Sequence, residues 1–221
     1  MSGSRADPAH TGRRAALTPP AAPRTGPLLL VCALRIEQAA LRRGDRSGAA
    51  GPVAVLRAGM GPRAARRSVD ATLRDDAALR TAAVLATGFC AGLAPGVRPG
   101  DVVVDDRSTR ATALAAALAR LGVTVHTGRI AGSDHVVKGA ERHALAAGGA
   151  LAVDMESHAV RQAARAAGPR PVAVARVVVD TPEHELLRIT TLRTGITAFK
   201  VLSSSFPAFL DWHRSTALPG R

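Results

Sequence analysis

The chain has 221 residues, of which 47% are apolar and 2% aromatic, and its formal charge is +13. This length suits one α/β domain with a full core and is too short for two large domains. Lys138 and Lys200 are its only lysines among 30 basic residues. The arginines are scattered along the chain without interleaved aromatic residues, which argues against a specific nucleic-acid site.

The N-terminal 26 residues are rich in Pro, Ala and Arg and lack periodicity. They predict a disordered tail before a single domain at residues 27–214, with a second short tail at 215–221. The apolar run Leu28–Leu34 is about seven residues long and is followed at once by charged residues, so we interpret it as a strand. It is too short to span a bilayer, and we expect no transmembrane segment.

Cys32 and Cys90 lie in apolar strand or strand-end contexts. We expect buried free thiols in a chain that resides in the reducing cytoplasm. No His, Cys and Asp spacing indicates a metal site.

Predicted strands and helices alternate along the whole chain, which predicts a single-domain α/β sandwich. The predicted strands cover residues 27–33, 52–58, 82–87, 102–104, 123–130, 150–153 and 171–179. The predicted helices are a short one that contains Glu37, then 63–73, 111–121, 140–147, one that ends at Gly168 and Pro169, and a largely helical region at 186–213 broken near Pro207. The second predicted strand ends in a glycine turn at 59–62. The third ends at Thr87 and enters the segment 88–92, and a tight turn at 93–101 leads into the fourth.

Two acidic residues, Asp154 and Asp180, come at the ends of predicted strands. Open α/β sheets bind their ligands at this edge. Two structural interpretations remain open. Asp154 could cap the following helix, and Asp180, before Thr181 and Pro182, could belong to an ordinary turn.

Four segments in order resemble the purine nucleoside phosphorylase and methylthioadenosine/adenosylhomocysteine nucleosidase superfamily. They are Ala33-Leu34-Arg35-Ile36-Glu37, Gly59-Met60-Gly61, residues 87–101 with Ala91-Gly92-Leu93-Ala94-Pro95, and Val153-Asp154-Met155-Glu156-Ser157 together with 176–180. The resemblance implies a three-layer sandwich with a central mixed β-sheet flanked by helices, and usually a homodimer or larger homo-oligomer.

Residues 132–137 and 179–186 are most similar to the branch of this superfamily associated with hopanoid biosynthesis. That resemblance implies removal of adenine from adenosylhopane or a related 5′-substituted adenosine, including a lipid-linked one. Three departures from the hydrolytic relatives are Val136 in place of an aromatic residue, Phe89 in place of a small hydroxyl residue, and a short connection after Asp106. They suggest a more open and more apolar pocket.

The resemblance assigns a role to each matching residue. Asp180 holds or donates the proton at the purine N7, Glu37 activates water, and Glu156 binds the ribose hydroxyls with Met155 packed on the sugar. Such groups are suited to a transition state in which the base leaves protonated and the sugar becomes cationic. The remaining predicted substrate contacts are Val136, Val137, Phe89, Cys90, Ala91 and Gly61.

Three functions remain open: a hydrolytic nucleosidase, a phosphorylase that uses phosphate as co-substrate, and a nucleoside-binding module without activity. No other cofactor is implied. The turn at 59–61 could bind an anion or be a bare turn. Arg176 is expected to pair with a buried carboxylate. His135 and His184 are interpreted as surface or supporting residues because neither has a nucleophile partner.

Overall fold

The computed structural model describes residues 25–181 and 190–217. Their strands are β1 (Leu28–Cys32), β2 (Val53–Arg57), β3 (Ala83–Gly92), β4 (Val102–Asp105), β5 (Val125–Gly132), β6 (Ala150–Asp154) and β7 (Val172–Asp180). Their helices are α1 (Arg35–Arg43), α2 (Pro62–Asp75), α3 (Ala111–Ala119), α4 (Ala140–Ala147), α5 (Ser157–Ala166), α6 (Thr190–Ser204) and α7 (Phe206–Thr216). Each of these elements overlaps a predicted one, and β3 differs most, because it ends five residues after its predicted end at Thr87.

The strands form one mixed sheet that curls back on itself. Strand β1 lies between β2 and β3, all parallel, and β3 continues in parallel to β7. Strand β7 then pairs antiparallel with β4, which leads through β5 to β6 in parallel steps. The end of β3 pairs antiparallel with β6, so five strands close a ring. The expected central mixed sheet is confirmed, and the ring brings the ends of β3, β6 and β7 together.

Helices cover both faces of the sheet. Alternate residues of β1 point to opposite sides, as the strand period requires. Leu28 and Leu30 join the core formed with α1, α3, α6 and α7, whereas Leu29 and Val31 join the core formed with α2 and α5. The α/β sandwich is therefore confirmed, with the sheet as its middle layer.

The predicted end of the third strand at Thr87 is wrong, because β3 continues to Gly92, with one register shift between Cys90 and Ala91. Glycine is needed at position 88 for a steric reason. Its φ is 128°, and a Cβ there would lie 2.5 Å from Oε1 of Glu37 and 2.9 Å from a guanidinium nitrogen of Arg176. The glycine thus lets two charged side chains approach the strand backbone.

The predicted N-terminal tail falls almost entirely outside the described residues, as does His184. Thr25, at the end of that predicted tail, is buried. Helix α7 continues to Thr216 and so enters the predicted C-terminal tail. Within the described ranges, no helix has the length and apolar character needed to cross a bilayer.

Candidate active site

A mostly apolar cavity of about 270 Å³ opens at the carboxyl ends of β3, β6 and β7. It is lined by Ala33, Leu34, Glu37, Met60, Phe89, Cys90, Ala91, His135, Val136, Val137, Arg142, Val153, Asp154, Met155, Glu156, Val179 and Asp180. Nine of the ten predicted site residues are in this lining, and the tenth, Gly61, contacts it through Glu156. The closed ring of strands is what brings together positions so distant in the sequence.

Glu37 is fixed in place entirely by backbone groups. Its Oε2 accepts hydrogen bonds from the N–H groups of Ala33 and Leu34, both at 2.8 Å, and its Oε1 accepts one from Phe89 at 2.7 Å. The first two are unpaired donors at the start of α1, where an acidic side chain is favoured. Only 2% of the residue is exposed. Its carboxylate is therefore held by the fold at the cavity wall.

Arg176 lies in the middle of β7 and is 1% exposed. Its three nitrogens donate to the Ser157 hydroxyl at 2.9 Å, the Thr87 carbonyl at 2.9 Å and Oδ2 of Asp154 at 2.6 Å. A second carboxylate, Glu156, lies 4.0 Å away. The prediction of a buried carboxylate partner is confirmed. We call Arg176, Asp154, Glu156 and Ser157 the Arg176 cluster.

The charges of this cluster depend on one another. Burial alone disfavours the cation of Arg176, but the carboxylates of Asp154, Glu156 and Glu37 outweigh that effect and raise its pKa. Burial is also the main influence on Glu156, whose pKa is raised although Arg176 and a backbone N–H favour its charged form. Buried carboxylates thus surround one permanently charged arginine.

The glycine turn before α2 does bind an anion, but the anion belongs to the protein. The Gly61 N–H donates to Oε1 of Glu156 at 2.8 Å, and Gly61 has a φ of 85°. Because this N–H is one of the free donors at the helix N-terminus, it is suited to a carboxylate. The turn therefore orients Glu156 toward the cavity.

Asp154 binds the first backbone N–H of the next helix, which agrees with its interpretation as a capping side chain, although Glu156 holds the N-cap position. Oδ2 of Asp154 accepts the backbone N–H of Ser157 at 3.0 Å and the Ser157 hydroxyl at 2.6 Å. The same oxygen binds Arg176, whereas Oδ1 has no partner among the described residues. Asp154 therefore links the start of α5 to the Arg176 cluster.

Asp180 is on the other side of the cavity and is 6% exposed. Its Oδ2 forms an ion pair with Arg142 of α4, and Arg142 also donates from Nε to the Val137 carbonyl at 3.1 Å. We call these two charged residues the Arg142 pair. Sequence analysis missed Arg142, because the pair joins residues 38 positions apart and a single arginine on a short helix carries no local signal.

The apolar part of the cavity has one exposed and one buried valine. Val136 is 65% exposed, whereas Val137 is 4% exposed and packs into a small core beneath the cavity. Phe89 and Cys90 complete this wall. Cys90 and Cys32 are buried free thiols, as predicted. Burial raises the pKa of both, that of Cys32 to about 12.

His135 lies at the rim, with 59% of its side chain exposed. One ring nitrogen is 2.8 Å from a carboxylate oxygen of Asp134 and the other is 2.9 Å from one of Glu141. Hydrogen bonds to Asp134 and then Glu141 raise its pKa. This surface position agrees with the interpretation of His135 as a supporting residue.

A second depression of about 620 Å³ adjoins the cavity and shares His135 and Met155 with it. Its walls carry both signs of charge, from Arg63, Arg66, Asp134 and Glu141 among others. Within the described part of the chain, no group of three or more His, Cys, Asp or Glu side chains is arranged to hold a metal ion.

The fold is similar to that of solved nucleosidases. A Streptococcus pneumoniae 5′-methylthioadenosine/S-adenosylhomocysteine nucleosidase with a transition-state inhibitor is 22% identical (TM-score 0.69), over 84% of this chain and 98% of that one. The Neisseria meningitidis enzyme with methylthio-immucillin-A is 20% identical (TM-score 0.66), over 86% and 99%. The Colwellia psychrerythraea enzyme with adenine is 19% identical (TM-score 0.66), over 84% and 95%.

Sequence comparison alone gives a narrower match. None of the curated proteins compared with this sequence matches it. A family model described as the phosphorylase superfamily matches residues 106–203, a region that includes β5, β6, β7 and the charged residues on them. The chain therefore has the nucleosidase fold, and its second half carries the sequence pattern of the phosphorylase superfamily.

Proposed function

We propose that this protein is an enzyme that cleaves the N-ribosidic bond of an adenine nucleoside and releases adenine. One observation carries the proposal: Glu37, Glu156 and Asp180 are among four buried carboxylates that line a single apolar cavity, with Asp154 as the fourth. Each is held by hydrogen bonds or an ion pair within the protein, and a cluster of acidic groups at a cavity wall is typical of a site that transforms a ligand. The fold shared with the nucleosidases agrees with it.

The reaction requires two kinds of charge stabilisation. The leaving base must gain a proton, and Asp180 is the carboxyl group that holds or delivers it at N7. The sugar gains positive charge at C1′, which the anionic wall formed by Glu37 and Glu156 stabilises. Glu156 receives the ribose hydroxyls, and Met155 packs on the sugar. The base lies between Phe89 and the Val136–Val137 segment.

Hydrolysis is favoured over phosphorolysis by the charges at the cavity wall. Glu37 would repel a phosphate dianion placed beside C1′, but it can accept a proton from water. Three arginines that could neutralise phosphate, Arg35, Arg57 and Arg63, are not part of the cavity lining. Arg142, which does line it, is paired with Asp180. Phosphate as a co-substrate is the second candidate.

We also propose that the nucleoside carries an apolar 5′ substituent, as in adenosylhopane. The rim supports this, because Met60 and Val136 line the cavity and yet are 68% and 65% exposed. Ile36, next to Glu37, is 49% exposed. Large apolar side chains left in water around a cavity mouth are suited to an apolar ligand. The adjoining charged depression would instead favour a polar substituent.

The deciding experiment is incubation of the purified protein with 5′-methylthioadenosine, 5′-alkylthioadenosines of increasing length, S-adenosylhomocysteine and adenosylhopane. Free adenine and the sugar product are measured across a phosphate titration that starts from phosphate-free enzyme. We expect adenine release independent of phosphate, a free sugar product, and kcat/KM that rises with alkyl length.

Other outcomes select the alternatives. A strict phosphate requirement with a ribose-1-phosphate product would establish phosphorolysis. A preference for S-adenosylhomocysteine would overturn the apolar substituent. Binding of these nucleosides in calorimetry without any adenine release would identify a nucleoside-binding module.

A further inference from the structure

We propose that Arg142 is a positioning residue, which fixes the Asp180 carboxylate relative to the Val136–Val137 segment on which the base lies. The proposal rests on the proposed function, in which Asp180 manages the proton of the leaving base. It starts from one side chain that joins two separate parts of the cavity wall. Arg142 binds the carboxylate of Asp180 on β7 and the carbonyl of Val137 on the segment before α4.

The position of Arg142 makes the contact consequential. The residue is 6% exposed, and so is Asp180, so water screens their attraction little. A hydrogen bond to N7 requires the Asp180 carboxylate to face the base edge, and the base rests on the Val136–Val137 segment. Arg142 is bonded to both, and therefore fixes one relative to the other. An error of about 1 Å in such an arrangement costs about 100-fold in rate.

The hydrogen bonding of Arg142 differs from that of Arg176. Each nitrogen of Arg176 donates to a protein acceptor in one cluster. The contacts of Arg142 are instead the Asp180 carboxylate and the Val137 carbonyl, and one terminal nitrogen is buried without a partner among the described residues. These two contacts lie on different parts of the cavity wall, so Arg142 sets the distance between them.

The test is a double-mutant cycle between Arg142→Met and Asp180→Asn, followed by adenine release from the best nucleoside found above. We expect Arg142→Met to lower kcat about 10- to 100-fold with KM changed less than about threefold. In the Asp180→Asn background the same substitution should change kcat less than about threefold, because Arg142 acts through Asp180. Arg142→Lys, which keeps a cation beside Asp180, should recover most of the loss.

Arg129→Met is the matched control. Arg129 is an exposed arginine that donates to the Gly148 carbonyl at the end of α4, and it does not line the cavity. The Arg129→Met substitution should leave kcat unchanged. If Arg142→Met fails to fold, the cycle is run with Arg142→Lys, whose smaller loss should likewise vanish beside Asp180→Asn.

If the fold-losses in kcat from Arg142→Met and Asp180→Asn multiply in the double mutant, the proposal is overturned. A rise in KM with unchanged kcat in Arg142→Met would also overturn it. A crystal structure of Arg142→Met separates this failure from failure of the proposed function. If the wild-type protein releases no adenine, the proposed function is rejected. The orientation of the Asp180 carboxylate in that crystal structure still tests whether Arg142 positions it. We expect it to turn away from its wild-type orientation, and an unmoved carboxylate would refute the role of Arg142.

Discussion

The two charged groups of the cavity are built in opposite ways. The Arg176 cluster joins β7 to the start of α5 with every nitrogen of Arg176 bonded. The Arg142 pair crosses from the short helix α4 to the end of β7 through one ion pair, and Arg142 has one further bond, to the Val137 carbonyl. Loss of a residue from the densely bonded Arg176 cluster should mainly destabilise the fold. Loss of a residue from the sparsely bonded Arg142 pair should affect the orientation of Asp180 and the rate more than it affects folding.

Removal of Arg176 should give the largest effect on stability. Arg176→Met leaves Asp154 and Glu156 buried without their cation, which costs about 3–5 kcal/mol in the free energy of unfolding. Urea denaturation followed by circular dichroism measures this loss. Arg74→Met removes an exposed ion pair and should change stability by less than about 1 kcal/mol. If Arg176→Met lost as little stability as Arg74→Met, the Arg176 cluster would not be important for the stability of the fold.

Substitution in the Arg142 pair should separate rate from folding. Asp180→Asn removes the group that carries the proton, so we expect the rate of adenine release to fall about 10²–10⁴-fold. The amide oxygen can still accept from Arg142, and the stability loss should stay below that of Arg176→Met.

Asp105→Asn is the matched control for that substitution. Asp105 is a buried strand-end aspartate paired with Arg161, beside the first half of β7 and outside the cavity lining. It should lower stability and leave turnover unchanged. Near-normal adenine release by Asp180→Asn would remove Asp180 from the mechanism.

Substitution of Glu37 tests whether this carboxylate, like those of the Arg176 cluster, contributes to stability through the bonds that hold it. Glu37→Gln places an amide N–H₂ against the N–H of Phe89, or else against those of Ala33 and Leu34. A buried clash of donors of this kind costs about 1–3 kcal/mol. Thermal and urea unfolding should both show the loss, whereas Glu141→Gln at the exposed rim should not. Equal stability of the two variants would contradict the backbone bonds to Glu37.

The smallest effect concerns the pH dependence of stability at Glu156. Its pKa is raised in the fold, mainly by burial. Such a carboxyl stabilises the fold below its unfolded pKa, and this contribution is lost as pH rises through the folded pKa. Wild-type protein should therefore lose stability relative to Glu156→Gln on going from acid to neutral pH. We expect the unfolding free energy of wild type minus that of Glu156→Gln to fall steadily over this range, because the raised pKa favours the protonated carboxyl in the fold. Urea unfolding of both proteins at several pH values measures it, and a difference independent of pH would refute the shift.

The alternation of apolar runs with helical periods was enough to predict the elements, because burial and periodicity act locally. It also placed Asp154 and Asp180 at strand ends, and the resemblance singled out Glu37 and Glu156. The third strand was predicted to end too early, at Thr87, and this has a physical reason. Glycine usually weakens or ends a strand, but position 88 needs glycine because Glu37 and Arg176 approach the strand there from elsewhere in the chain.

The sequence by itself therefore determined the α/β class, the strand ends that carry the acids, and the family they resemble. Only the tertiary structure decided the partners of those acids. The curled sheet brings Gly61 to Glu156, Phe89 to Glu37 and Arg142 to Asp180, pairs that lie 95, 52 and 38 residues apart. Such long-range bonds leave no periodic trace in the sequence, because their geometry depends on how the strands pair and not on local preference.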